Sequence, residues 1–429
     1  MIWKRVGALA RSWPARLFLL SHFLIICSFC IFGWDNTWLF FDFAEPPLEA
    51  PFLDLWTIRA APEAMALGFD PLVNNPTEFT GLVMNYPRIW AHAANYVQLN
   101  DMGVMIMGAV LWLLFIISVL ILIEASGPDT LSSKYVVTLA LMPASWFVLI
   151  EGNNDLLIFF LTVVCCRFFA TSRIFSLFGM VLATVLKIYP ILVFPVFLHR
   201  SNGKTVNGAI VAAWLLCVLY LLFQLSDLHL MRAGNTASAN YAYGFGSLWS
   251  IPKILPRYEA MLWTLNATSE FIFFLVCATG ATAIAALGFF SRNNPEGDAD
   301  PVIELFFLAG AALYIGTFIL SANWDYRLVM LVLCAPYIAT MPRSQRYLTL
   351  GAAVLSMNFW SVNSIGQFIS DSDTRVSFIL MIFVQMSKCL LLGLLSFEFG
   401  KLARQRLLYG TTSPIRASEG AEIVAENLS

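Results

Sequence analysis

Charge is what this chain has least of. Only 12% of its 429 residues are Asp, Glu, Lys or Arg, and the formal net charge is -2. So little basicity excludes an electrostatic grip on nucleic acid. Histidine is also scarce: the four (22, 92, 199 and 229) are scattered, with no HExxH or paired-Cys pattern, so a metal site is not expected. Gly-rich phosphate-loop patterns are missing, which argues against nucleotide binding, and no cofactor is expected. The eight cysteines all fall within apolar runs and read as small core residues, although Cys27 and Cys30 have CxxC spacing.

What is abundant is apolar surface. The chain is 59% hydrophobic, and its mean hydropathy is +0.75. Such a composition predicts an all-α polytopic membrane protein. Lys4, Arg5, Arg11 and Arg16 precede an apolar run ending at Gly33 without a small-residue cleavage site, so the run is read as a retained first span with a cytoplasmic N-terminus. About twenty apolar residues cross a bilayer core. On that ruler, candidate spans fall near 16–34, 104–123, 135–150, 156–172, 207–225, 269–291, 303–321, 326–341, 347–362 and 376–398.

The stretch 174–199 needs its own decision. As one span it would carry Lys187 in its middle and a break at Tyr189-Pro190, with basic residues at opposite ends. As two half-helices meeting at 187–190, it returns both basic ends to the cytoplasm and lets irregular backbone line a cavity. The hairpin gives about 11–12 helical passes. Sixteen Lys/Arg then fall on cytoplasmic segments and seven on exterior ones, following the positive-inside rule. The chain divides accordingly into 1–34, cytoplasmic N-terminus and first span, and 35–103, a large exterior loop with short amphipathic helices. There follow 104–225, the membrane core with the broken helix, 226–268, a second exterior loop, 269–408, the C-terminal spans, and 409–429, a polar cytoplasmic tail read as disordered.

The first exterior loop is not a bland linker. Between Phe40 and Trp90 it has seven carboxylates (Asp42, Glu45, Glu49, Asp54, Glu63, Asp70, Glu78), five aromatics from Trp56 to Trp90 and several prolines. Aromatics at that density predict a folded, acidic lid.

Four clusters could do chemistry, all on the exterior face. Asp54, Ile58, Ala61 and Met65 fall at helical spacing; Asp54 either caps that helix or faces a ligand. Asn85, Tyr86, Arg88 and Trp90 are interfacial anchors or substrate contacts. Glu151-Gly152-Asn153-Asn154-Asp155 makes a tight turn between apolar helices, and a turn has no need of two carboxylates dipping toward hydrocarbon. Lys187 and Tyr189, with Asn323, Asp325 and Arg327, place cations near the exterior ends of apolar helices. They either pair with a carboxylate such as Asp155 or hold an anionic ligand, for which Lys and Arg suit a phosphate. Lys388 reads as a snorkelling or paired residue.

In order, the strings DLWTIRAAPEAMALGFDP, NYPRIW, EGNNDLLIFFLTVV, LKIYP and NWDYRL resemble those of GT-C membrane glycosyltransferases over roughly residues 50–345. The likeness is to the polyprenol-phosphate-mannose-dependent α-mannosyltransferases of glycosyltransferase family eighty-seven; LKIYP is also similar to a string in the mannosyltransferases of glycolipid-anchor synthesis. The resemblance implies a GT-C-like bundle and transfer of a hexose, mannose by default, from a polyprenyl-phosphate sugar to an exterior glycan or glycolipid. It implies that Asp54 is the general base, that Lys187 and Arg327 hold the donor phosphate with Tyr189 beside them, and that the aromatic run 240–249 covers the acceptor. The family's turn reads GQ where this chain has Gly152-Asn153, so Asn153 departs from the pattern. The site would face outward from a bacterial cytoplasmic membrane, amid membrane lipids. A transporter or flippase for a lipid-linked or anionic solute is the alternative, because intramembrane Glu151, Asp155, Lys187 and Lys388 also suit a coupled carrier.

Overall fold

The computed structural model describes residues 2–34, 50–79, 81–234, 242–244, 267–291, 300–320, 323–358 and 374–409. Asp42, Glu45, Glu49, most of the aromatic run 240–249 and the tail after 409 lie outside the described residues. The chain is an all-α polytopic membrane protein. Among the described residues, five helices are long and apolar enough to cross a bilayer: Trp13–Phe32, Asp101–Ser126, Arg200–Phe223, Pro301–Leu320 and Ile382–Leu408. A sixth crossing is a bent pair, Leu131–Ala140 and Pro143–Ile150, meeting at 51°. The bend follows from Pro143, which lacks an N–H and pushes Met142 into extended backbone at φ -69, ψ 152.

These five or six crossings fall short of the expected 11–12 passes; other expected spans are shorter pieces among the described residues. The expected span at 156–172 is a helix of 14 residues, Asp155–Phe168, about 21 Å long at 1.5 Å per residue. That at 326–341 is mostly a ten-residue 3-10 helix, Asp325–Cys334. Short segments are tolerated where protein, not lipid, surrounds the backbone.

The stretch 174–199 breaks at Lys187, which is extended (φ -157, ψ 129) after the helix Arg173–Leu186. A 3-10 helix, Tyr189–Phe197, follows, with Pro190 in its first turn and Pro195 inside it. The rings of Phe169 and Phe197 stack with centroids 4.5 Å apart, so both feet of this hairpin stand at one end. Its tip meets the N-terminus of the Asp155–Phe168 helix.

The bundle is centred on Pro301–Leu320, whose best apolar window is 78% buried, against 11% for the lipid-facing Arg200–Phe223. Glycines let the 3-10 segments approach it. A Cβ on Gly310 would lie 2.8 Å from Leu333 Cβ and 2.9 Å from the Met330 carbonyl, and one on Gly316 would meet Leu192 at 2.1 Å. Close backbone approach through small residues is how helices associate in lipid, where hydrophobic collapse is not available.

The described part of the segment between the first two long helices, 50–79 and 81–100, is folded. The helix Leu53–Ala66 buries Leu55, Ile58, Ala60, Ala61 and Ala64, whereas Met65, expected on the same face, is exposed. The following strand of chain doubles back on it: Asn75 Nδ2 donates to the Thr57 carbonyl (3.2 Å) and Thr77 Oγ1 to that of Ala60 (3.0 Å).

The Gly310 approach predicts that Gly310→Ala destabilises the detergent-purified protein by about 1–3 kcal/mol, the usual cost of overpacking. Gly280→Ala, inside the helix Ala267–Phe290 where a Cβ meets nothing within 4 Å, should not lower the melting temperature, since alanine favours helix. Thermal unfolding of both variants checks this.

Candidate active site

The site is built on the turn after Pro143–Ile150. Gly152 has φ +58, and a Cβ there would stand 2.6 Å from that of Phe52. Phe52 is itself left-handed at φ 62, a costly conformation for a bulky residue. The two left-handed residues nest, and two backbone bonds seal them: Phe52 N–H to the Ile150 carbonyl and Asp54 N–H to the Glu151 carbonyl, each 3.0 Å. This clasp carries Asp54 to the turn. Asp54 lies in the first turn of its helix rather than at the N-cap, which is Phe52 and makes no side-chain cap bond. The capping alternative therefore does not hold.

Asn153, Asn154 and Asp155 are fully buried, and buried polar groups at this depth must satisfy one another. Asn153 Nδ2 donates to Asp54 Oδ2 at 2.5 Å and to Tyr86 Oη at 3.0 Å. Asn153 Oδ1 accepts from Lys187 Nζ and from the Asp155 N–H, both at 2.8 Å. The amide can point only this way: flipped, its oxygen would face a carboxylate and its NH2 an ammonium. Lys187 Nζ also donates to Asn154 Oδ1 (2.6 Å), pairs with Asp155 Oδ1 (2.6 Å) and lies 4.9 Å from the centre of the Tyr86 ring.

Asp155 collects the rest. Tyr189 donates to its Oδ1 at 2.7 Å, and Arg327 Nε approaches its Oδ2 at 3.4 Å, with the guanidinium 5.6 Å from the Tyr189 ring centre. Arg327 Nη1 donates to Asn323 Oδ1, and Asn323 Nδ2 donates to the Thr317 carbonyl (2.5 Å). Trp90 Nε1 caps the Leu186 carbonyl at 2.8 Å, bracing the backbone just before Lys187. Two carboxylates and two cations thus form one connected group. Burial drives the Asp54 carboxyl above the ordinary value of 3.8; Lys187, Asn153 and Tyr86 pull it back, and Asp155 adds to the rise. That is the setting of a proton acceptor poised above the normal carboxylate range.

Of the residues expected in the site, Asp54, Tyr86, Asn153, Asn154, Asp155, Lys187, Tyr189, Asn323 and Arg327 converge. Glu151 contributes its carbonyl to the clasp, and Asn85 is half-buried beside Tyr86 without a bond in this network. Two others are engaged away from this network. Arg88 grips Asp70 with both terminal nitrogens (2.9 and 2.8 Å) and Asp227 with Nε (2.8 Å), so its fork is filled by protein carboxylates. Asp325 has both oxygens bonded to Lys388 (2.8 and 2.9 Å).

Three further residues support the site. Tyr243, from the aromatic run 240–249, bonds Thr317 Oγ1 at 2.7 Å and stacks parallel on Tyr314, 5.6 Å between centroids. Residues 242–243 pair antiparallel with 323–324. The only sequence signal for Tyr243 was the aromatic run around it, most of which lies outside the described residues. Among the described residues, no three His, Cys, Asp or Glu side chains gather as metal ligands.

No family model matches the chain, and no curated protein or solved structure shows significant similarity to it.

The Arg88 clasp has a pH signature. Hydrogen bonding to Arg88 holds the Asp70 carboxyl below its ordinary 3.8. A carboxylate with a depressed folded value stabilises the fold above its unfolded pKa and stops doing so as pH falls through the folded one. The melting-temperature gap between wild type and Asp70→Asn should be constant above about pH 5 and shrink as pH falls below about 4. Thermal scans between pH 3 and 7 measure it; the gap is small, since the pair is partly solvent-screened.

Proposed function

We propose that the protein is a membrane glycosyltransferase that moves a hexose, mannose in the first instance, from a polyprenyl-phosphate sugar to a hydroxyl of an exterior glycan or glycolipid, with inversion at C1. The observation that carries this reading is the Asn153 amide held between Asp54 and Lys187. It sets a proton acceptor and a cation in one rigid arrangement.

A sugar hydroxyl is a weak nucleophile. Asp54 takes its proton as the new C1–O bond forms, while the bond from C1 to the phosphate oxygen breaks and the lipid phosphate leaves with the electron pair. Lys187 and Arg327 stand where that negative charge develops. Asp155 is engaged by Lys187, Tyr189 and Arg327, which leaves one carboxylate for the reaction and favours single displacement over a covalent glycosyl intermediate. The residues that supply these roles match the order of the GT-C resemblance. In this reading the site faces the exterior of a bacterial cytoplasmic membrane.

A carrier is the second reading, and one observation favours it. Two 3-10 segments, Tyr189–Phe197 and Asp325–Cys334, flank the central helix, each next to a buried Lys–Asp pair, and interrupted helices are where carriers bind solutes.

Transfer of labelled mannose from polyprenyl-phosphate mannose in membranes tests the proposal. Asp54→Asn, at equal expression, should lower turnover by about 10²–10⁴-fold, the range for loss of a general base. Transfer near the wild-type rate would move the base elsewhere. No transfer by either protein, with solute counterflow in proteoliposomes, would favour the carrier.

The raised Asp54 value fixes the sign of the pH profile. The base must be ionised, so kcat/KM should fall with decreasing pH through a limb above 3.8. Asn153→Ala, which removes a bond favouring the ionised form, should move that limb to higher pH.

A further inference from the structure

The buried pair Lys388–Asp325 lies behind the site and touches no part of the chemistry described above. Lys388 is fully buried and Asp325 is 1% exposed, and the ammonium bonds both carboxylate oxygens. Such a pair is a poor stabiliser. The cost of desolvating two charges rivals their attraction, and an apolar pair of similar volume serves as well or better. Its geometry gives it another use.

Asp325 opens a 3-10 helix of ten residues, where runs beyond three or four residues are uncommon, so this one needs an external hold. Each residue of a 3-10 helix turns through about 120°. Residues two apart therefore point in different directions: Asp325 meets Lys388 of the Thr374–Arg404 helix, and Arg327 meets Asp155. A rotation of the segment that parted Asp325 from Lys388 would swing Arg327 off Asp155. The Lys388 carbonyl also accepts from Tyr314 Oη at 2.8 Å, and Tyr314 stacks on Tyr243, whose strand pairs with Asn323. One point on the last long helix thus holds both the segment bearing Arg327 and the piece of the second exterior loop packed on it.

We infer that Lys388 and Asp325 form a positioning pair that fixes the rotation of the 325–334 segment, and through it the direction in which Arg327 presents its guanidinium to an anionic ligand at Asp155. The ligand taken here, the phosphate of a polyprenyl phosphate, rests on the glycosyltransferase reading; the mechanical statement does not.

A mutant cycle tests both statements separately. The four proteins are wild type, Arg327→Gln, the apolar pair Asp325→Val with Lys388→Met, and the triple variant. Each is measured for thermal unfolding in detergent and for equilibrium binding of sugar-free polyprenyl phosphate. Arg327→Gln should weaken binding about tenfold, the scale of one lost hydrogen bond to a charged group. The apolar pair should melt at or above the wild-type temperature yet bind almost as weakly as Arg327→Gln. Adding Arg327→Gln to it should cost less than about threefold more. A merely structural pair would leave affinity unmoved. Wild-type affinity in the apolar pair, with Arg327→Gln still costing tenfold, overturns the inference while leaving the phosphate site standing. If the wild type does not bind polyprenyl phosphate, the glycosyltransferase reading loses its donor and the thermal cycle decides alone. Additive melting shifts then overturn the pair's role, and non-additive shifts sustain it. Should the apolar pair not fold, the same cycle with Asp325→Asn and Lys388→Gln together, which keeps both shapes and removes both buried charges, gives the same reading.

Discussion

The side-chain amide of Asn153 joins the two halves of the site. One end donates to Asp54 on the Leu53–Ala66 helix and the other accepts from Lys187 at the tip of the hairpin. An amide can do both because its two ends carry opposite polarity, and here each faces the charge it suits. A carboxylate and an ammonium in direct contact would neutralise each other as a salt bridge. Separated by an amide, the carboxylate keeps its own hydrogen-bonding direction and still feels the cation's field. The same logic orders the whole of this end of the bundle. No charged group can stand alone at that depth, so each is claimed by another, and the claims fix the geometry.

The fold supplies the precision this network needs through its least regular parts. The clasp of Phe52 on Gly152, the extended Lys187 and the two 3-10 segments are all departures from helix, and each brings a functional side chain to the network. Long regular helices such as Trp13–Phe32 and Asp101–Ser126 provide walls. Irregular backbone at membrane depth survives only inside protein, which is why these segments pack on Pro301–Leu320, the most buried of the five span-length helices.

Much of this was legible in the sequence, because a charge in an apolar run is conspicuous. Asp54, the 151–155 turn, Lys187 and Arg327 stood out on that ground, and they do converge. What stayed hidden has one physical cause: a charged residue announces itself, but its partner does not. Arg88 looked available because Asp227 lies 139 residues away. Asp325 looked like a ligand contact because Lys388 is 63 residues downstream in the last long helix. The 3-10 character of 325–334 was hidden as well, since an apolar run reads the same whether it turns every 3.0 or every 3.6 residues. Asn153 was placed correctly in the turn, but its bridging role depends on groups 99 and 34 residues distant.

The 63-residue separation of Asp325 from Lys388 also sets an order of events during synthesis. At roughly 5–20 residues per second, the carboxylate emerges about 3–13 s before the ammonium that will hold it. For that interval the segment bearing Arg327 carries an acid with no cation of its own and cannot settle into hydrocarbon. The Thr374–Arg404 helix, on arriving, supplies that cation. The charged centre is therefore complete only once that helix is in place, so a chain released before it would have every other part of the centre and still lack the fixed arginine.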